Sequence, residues 1–447
     1  MIRVDLSKIP DFLLTRRWFG GKGLPIKTVE VVDHANITAE GQGAAPGEGF
    51  ILAVIELAYA VGTRERYLLS VEATPDRRVH EGLDNDDLAR AILRVIRDQR
   101  SIPTGTGTLR GEVLGDGGPL ATTVASPPVR RMAVEQTNTS VVFEEKVILK
   151  VIRKLDLGVN PEWEIGRFLA EHGFRFTPRL LGGLHLEGAA NTTLAVVHEF
   201  VKVEADGWAW VLGQLRASTT PSAELLAAAR KLGERIGELH NVLASDPNDP
   251  AFAPEPILAE DVQRWSSSMI GELGVTVAAA WEKVPELAEK RDALVERISR
   301  IARVEGVGKK MRIHGDIHLG QTLRSGGEWL IFDFEGEPAR GYAQRREKAS
   351  PLRDVAGMLR SFTYAAATLE LEGAPEADRE GPMRREFLAG YRSRVSAELL
   401  PVDEETLEIV LETLELEKLL YELRYELSHR PDWVRIPART LLSMEVR

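Results

Sequence analysis

The chain changes character once, at about residue 206, and that change narrows the folds open to it. Ahead of it lie short apolar runs broken by Gly, Pro and Thr; behind it come long amphipathic stretches. Residues 50–57 and 66–71 read as strands parted by the turn Val61-Gly62-Thr63. Gly41 to Gly49, with four glycines and one proline in nine residues, is a loop. Residues 86–100 read as a helix, because Leu88, Ile92 and Ile96 recur every four positions. A turn-rich connection over 101–119 leads to strands at 129–134, 139–143 and 147–152. Pro161 then opens a helix over 162–172 and Gly173 closes it. Strands at 179–186 and 192–200 complete this half. Helices follow at 221–245, 275–305, 352–371, 382–398 and 403–429, interrupted by an extended segment at 311–335. This order predicts an α+β chain with a strand-rich lobe followed by an α-helical lobe.

At 447 residues the chain exceeds one ordinary core, so two or three lobes are expected. Lys plus Arg total 57 against 68 Asp plus Glu, a net charge of −11 that argues against broad nucleic-acid binding. The absence of cysteine excludes disulfides and thiolate chemistry. The first 18 residues mix charges with short apolar pieces, unlike a signal peptide, and no window reaches the length of a membrane span. A soluble, cytoplasmic protein is expected, with monomer and homodimer both open.

The segment that interrupts the helical half carries the chemistry. It reads Met311-Arg312-Ile313-His314-Gly315-Asp316-Ile317-His318-Leu319-Gly320-Gln321, then Trp329-Leu330-Ile331-Phe332-Asp333-Phe334-Glu335. Phosphoryl transfer needs a carboxylate to orient the attacking hydroxyl and further oxygen ligands to hold Mg²⁺ on the nucleotide. Asp316 precedes Gln321 by five positions and Asp333 by seventeen, which is similar in spacing to a kinase catalytic loop. On that reading Asp316 is the base, Gln321 and Asp333 are metal ligands, and His314 organises the loop backbone. A transition-metal site at His314, Asp316 and His318 is disfavoured, since no third His or Cys lies nearby in sequence.

A cation is also needed on the ATP phosphates, and Lys150 sits in the apolar strand 147–152. An ammonium there requires a carboxylate; the next helix offers Glu162 and Glu164, and Glu164 is expected as the partner. Gln136, Asn138, Thr139 and Ser140 form the turn where protein kinases carry a glycine-rich loop, and read either as phosphate donors or as an ordinary polar turn. Glu199 and Val201, at the end of the last strand, stand where backbone groups would meet adenine. Asp354 reads as a helix N-cap, and it also resembles the kinase-fold Asp that braces the catalytic loop. In the last long helix Glu417, Tyr421 and Tyr425 recur every four residues beside Lys418 and Glu422. Taken alone, that pattern reads as a solvated face with Glu–Lys pairs.

These residues together resemble the maltokinase family. The likeness runs through Arg16-Arg17-Trp18-Phe19-Gly20-Gly21-Lys22, Gln136 to Ser140, Gly158 to Glu162, His314 to Gln321, Asp333-Phe334-Glu335-Gly336-Glu337-Pro338, Pro351 to Met358 and Arg430-Pro431-Asp432-Trp433. The resemblance implies a bilobal protein-kinase-like fold: an N-terminal cap over 1–88, an intermediate subdomain over 89–205 and a helical lobe over 206–447. It implies ATP- and Mg²⁺-dependent phosphorylation of maltose to maltose 1-phosphate for α-glucan synthesis, with trehalose synthase as a candidate partner. It also assigns the acceptor site to Glu417, Lys418, Tyr421, Glu422, Tyr425 and Trp433. Two alternatives stay open: another sugar kinase of the same fold, such as a glucosamine kinase, and a non-catalytic nucleotide- or glucan-binding module.

Overall fold

The computed structural model describes residues 6–37, 49–73, 80–124, 126–132, 137–188, 191–338, 340–375 and 377–444. The chain forms two compact units, Met1–Lys202 with Ala339–Gln344, and Val203–Pro338 with Arg345–Arg447.

The first unit begins with helix α1 (Ile9–Leu14) and three antiparallel strands, β1 (Ile26–Ile37), β2 (Gly49–Tyr59) and β3 (Arg64–Ala73). Strand β1 was not expected; its inward positions are mostly half-buried, so the alternation is faint. Helix α2 (Asp86–Arg97) follows, capped by Asn85. Next come β4 (Ser101–Pro103), β5 (Thr108–Val113), β6 (Val129–Arg131), β7 (Thr139–Phe143), β8 (Val147–Val151) and β9 (Lys154–Leu155). Helix α3 (Pro161–Glu171), β10 (Leu180–Glu187) and β11 (Thr192–Glu199) complete the unit. The second sheet runs β4-β5-β10-β11-β8-β7-β6, while β9 extends the first sheet beside β3. One apolar core spans both sheets and α2, from Leu52 and Leu68 through Ile92 and Ile96 to Leu149, Val151 and Val197. Beside that core lies the buried Arg153, ion-paired with Glu81 at 3.1 Å and stacked against Trp18 at 4.9 Å.

The second unit is helical: α4 (Gly207–Ala217), α5 (Ala223–Leu243), α6 (Ala259–Ala280), α7 (Arg291–Ser299), α8 (Leu352–Leu371), α9 (Glu380–Arg394), α10 (Glu404–His429) and α11 (Arg435–Ser443). The helix expected over 275–305 divides, because Pro285 cannot continue the hydrogen-bond ladder beyond α6. Helix starts follow their caps: Asp206, Ser222 and Asp403 each accept from a backbone N–H three residues on. A small hairpin, β12 (Thr322–Ser325) and β13 (Glu328–Ile331), sits among the helices and brings both ends of the chemistry-bearing segment together. Trp329 is fully buried there, its indole N–H donating to Ala228 O at 2.8 Å. No helix among the described residues is long and apolar enough to cross a membrane.

Candidate active site

In the second unit, the loop 314–319 lies along one stripe of α8. His314 N and Gly315 N donate to the two carboxylate oxygens of Asp354, at 2.8 and 2.9 Å. Three residues on, Gly357 passes so close to Ile317 O that an added Cβ would stand 2.7 Å from it. Four further on, Ser361 Oγ accepts from Leu319 N at 3.0 Å. Positions 354, 357 and 361 share a helix face by their 3- and 4-residue spacing. Gly315 adopts φ +84, a left-handed conformation that favours glycine. His314 Nε2 lies 3.0 Å from Phe332 O, tying the loop to the end of β13.

Asp354 is itself braced. His240 Nε2 lies 3.1 Å from Asp354 Oδ2, and His240 Nδ1 lies 3.0 Å from the Tyr391 hydroxyl. Burial opposes the Asp354 charge, but the bonds from His240 and the Gly315 backbone win and hold its carboxyl below the usual range. The buried carboxylate is thus a fixed acceptor for the loop amides. Asp354 falls on the third position of α8 and makes no N-cap bond; Pro351 precedes the helix instead.

Asp316 lies within the loop 314–319 and Asp333 just past the end of β13. Asp316 Oδ1 lies 3.2 Å from Lys418 Nζ, which reaches across from α10. Burial disfavours the Lys418 ammonium, yet Asp316, Glu422 and Glu337 outweigh it and raise its pKa. Asp333 adopts φ +67, a strained conformation for a residue with a Cβ and one that clusters at functional sites. Gln321 Nε2 donates to Asp333 Oδ2 at 2.8 Å. Turned over, the Gln321 amide would present Oε1 instead, so this pair offers the oxygen donors that a hard cation takes. His318 accepts from Gly320 N, and burial lowers its pKa, so it serves the loop turn.

The six residues assigned to the acceptor site separate into two sets. Lys418, Tyr421, Tyr425 and Trp433 form an aromatic and cationic surface. Lys418 Nζ stands 5.0 Å from the Tyr421 ring, Tyr421 stacks on Tyr425 at 6.3 Å, and Arg430 lies between Tyr425 and Trp433. Glu417 and Glu422, expected as acceptor contacts, are engaged within the unit. Glu417 pairs with Arg353 through both oxygens, at 3.0 and 2.9 Å. Glu422 is buried and takes Arg360 Nε and Nη2 at 3.1 and 2.9 Å. A planar guanidinium matches a carboxylate in this way, so both glutamates anchor α10 to α8. Sequence reasoning missed Glu426, one turn further, buried and bonded by the Tyr364 hydroxyl at 3.3 Å. Arg353, Arg360 and Tyr364 recur every seven and four residues on α8, a charged and polar stripe on a largely buried helix that could have revealed them.

In the first unit, Lys150 Nζ donates to Glu162 Oε2 at 2.9 Å. The partnership therefore falls on Glu162 and corrects the expectation of Glu164. Asn160 caps α3 by accepting from Trp163 N at 3.0 Å, which places Glu162 in the first turn, buried. Glu164 lies about 200° further round the helix. The register sets Ile148 opposite His198 and Lys150 opposite Val196, so Lys150 and His198 share a sheet face. His198 Nε2 lies 3.1 Å from the other Glu162 oxygen. Burial opposes the Glu162 charge, but Lys150 and His198 hold its carboxyl far below the usual range.

The turn assigned to phosphate is only partly described, and Gln136 lies outside the described residues. Asn138 and Ser140 are buried; Asn138 Oδ1 accepts from Arg153 N at 3.4 Å and Thr139 Oγ1 from Arg153 Nε at 2.9 Å. Glu199 N donates to Arg179 O at 2.9 Å, and Val201 follows just beyond the last strand.

The model of the phosphotransferase enzyme family (APH) matches residues 129–388, more than half of the chain. A glucosamine kinase of Streptacidiphilus jiangxiensis is 30% identical over 332 residues, covering 70% of this chain and 73% of that protein. A glucosamine kinase of Mycolicibacterium smegmatis is 28% identical over 319 residues, covering 70% and 78%. A solved structure of glucosamine kinase with glucosamine, ADP and inorganic phosphate superposes with a TM-score of 0.69, at 23% identity, covering 99% of both chains. A second glucosamine kinase crystal form gives 0.72 at 23% identity, covering 98% and 97%. The kinase-like α+β fold expected from the sequence is therefore the fold of the chain.

Proposed function

Since the chain belongs to the phosphotransferase enzyme family, we propose that it is an ATP-dependent sugar kinase whose acceptor is an amino sugar of the glucosamine class. The observation that carries this reading is the array on α10. Lys418 meets the base Asp316, and Glu422 and Glu426 follow at successive turns of the same helix. Arg360 grips Glu422, whereas Glu426 has a long 3.3 Å bond from Tyr364 and a 3.6 Å contact with Arg430. Burial raises the Glu426 pKa, and an ammonium beside it would restore the charged form. The relatives named glucosamine kinase support the same acceptor class. The maltose expectation has support only from short sequence segments, chiefly Arg16 to Lys22 and Asp333 to Pro338.

In this reading Asp316 orients the acceptor hydroxyl and takes its proton, while Lys418 keeps the Asp316 carboxylate in place. Tyr421, Tyr425 and Trp433 offer aromatic faces to the sugar ring. Lys150, set by Glu162, is assigned to the nucleotide phosphates. Gln321 and Asp333 are the residues that would hold Mg²⁺, which when bound neutralises phosphate charge.

The test is a comparison of initial rates with ATP and Mg²⁺ on glucosamine, N-acetylglucosamine, glucose and maltose. Glucosamine should exceed N-acetylglucosamine in kcat/KM by about 100-fold, since acetylation removes the charge that a buried carboxylate would recognise. Faster turnover of maltose would overturn the acceptor assignment. Binding of ATP without turnover of any sugar would overturn the enzyme reading.

A further inference from the structure

Residues 339–344 follow directly on Asp333-Phe334-Glu335-Gly336-Glu337-Pro338, yet they belong to the first unit. Tyr342 is buried there, and its hydroxyl accepts from Asn160 Nδ2 at 2.8 Å. Asn160 is the cap of α3, the helix whose first turn carries Glu162 and so fixes Lys150. Both ends of one side-chain amide are thereby engaged: Oδ1 holds Trp163 N, and Nδ2 holds Tyr342. Asn160 and Tyr342 are 1% and 5% exposed, so water cannot readily replace this bond and its loss would leave a buried donor unmet. Asp or Ser would cap α3 as well as Asn does, but neither supplies an amide N–H.

We propose that the Asn160–Tyr342 hydrogen bond is a positioning tether: Tyr342 fixes the Asn160 amide, and with it the cap of the helix that sets Lys150. Neither residue is a catalytic group. Each acts through its neighbours: Asn160 through Glu162 and Lys150, Tyr342 through Asn160. The inference rests on the kinase reading, because that reading assigns Lys150 to the nucleotide phosphates.

The test uses the full chain and three variants: Tyr342→Phe, which removes only the hydroxyl; Asn160→Ser, which keeps a capping oxygen; and the double variant. Each single change should lower kcat/KM for ATP about 10-fold with KM for the sugar unchanged. The double variant should match the singles, because either change breaks the same bond. Hydrogen exchange at 340–346 and at the Trp163 amide, which needs no turnover, should quicken in Tyr342→Phe. Quicker exchange with unaltered kinetics would overturn the positioning role, as would additive kinetic losses. If the wild-type chain turns over no sugar, the kinase reading falls by itself; unchanged exchange in Tyr342→Phe would then overturn the tether separately.

Discussion

Lys418 Nζ and Asp316 Oδ1 lie 3.2 Å apart, although 102 residues separate them. The contact joins the loop 314–319 to the helix that carries Tyr421 and Tyr425. Asp316→Asn should reduce kcat by at least about 1,000-fold while ATP affinity, read by calorimetry, changes less than about 3-fold. An unaltered kcat would remove Asp316 from the role of base.

Lys418→Met removes the cation but keeps the length of the side chain. It should lower kcat about 10–100-fold and raise the sugar KM, because both the carboxylate and the Tyr421 face lose their charged neighbour. Steady-state kinetics at fixed, saturating ATP would separate the two effects.

The choice between two glutamates on α3 is open to direct measurement. Glu162→Gln breaks a buried pair with Lys150 and the contact with His198, which should cost about 3–5 kcal/mol of stability. KM for ATP should rise about 10-fold or more. Glu164→Gln should change both quantities far less. Equal effects in denaturant titrations and kinetics would contradict the pairing.

Histidine 185 makes the first unit sensitive to acid. His185 packs edge-on against Trp163 at 4.4 Å, and burial, with help from Arg110, lowers its pKa from 6.5 to about 4. The unfolded chain therefore binds more protons than the folded one between those values, so stability falls as pH drops from 6.5 toward 4. Above 6.5 the contribution is complete. Across the window the loss amounts to about 3 kcal/mol at most. Thermal melts at pH 7.5 and 4.5 should differ less in His185→Phe than in the wild type.

Much of this was legible in the sequence wherever function and local structure coincide. The loop His314 to Gln321, the strand leading to Asp333 and the lysine in strand 147–151 all announce themselves, because chemistry interrupts a regular pattern there. The start of α8 at Leu352 and the ends of α10 follow the periodicity to within a residue. Pairings across long separations did not show. Glu417 and Glu422 meet Arg353 and Arg360 over 64 and 62 residues, and periodicity describes one helix at a time. Periodicity alone does not separate Glu162 from Glu164; the Asn160 cap, which fixes the rotation of the first turn, does. His240 gave no sign at all: a single histidine on an apolar helix face looks like core until Asp354 is seen beneath it.

Helix α8 holds loop amides along one stripe and the α10 glutamates along the next. A rod gripped on two sides cannot slip or turn for one without disturbing the other. Substitutions that shift α8 as a whole, such as enlarging Ala365 or Ala366 in its buried face, should therefore move turnover and acceptor affinity in step, even though neither alanine bears on the chemistry. The Asp316 loop and the α10 glutamates share one axle.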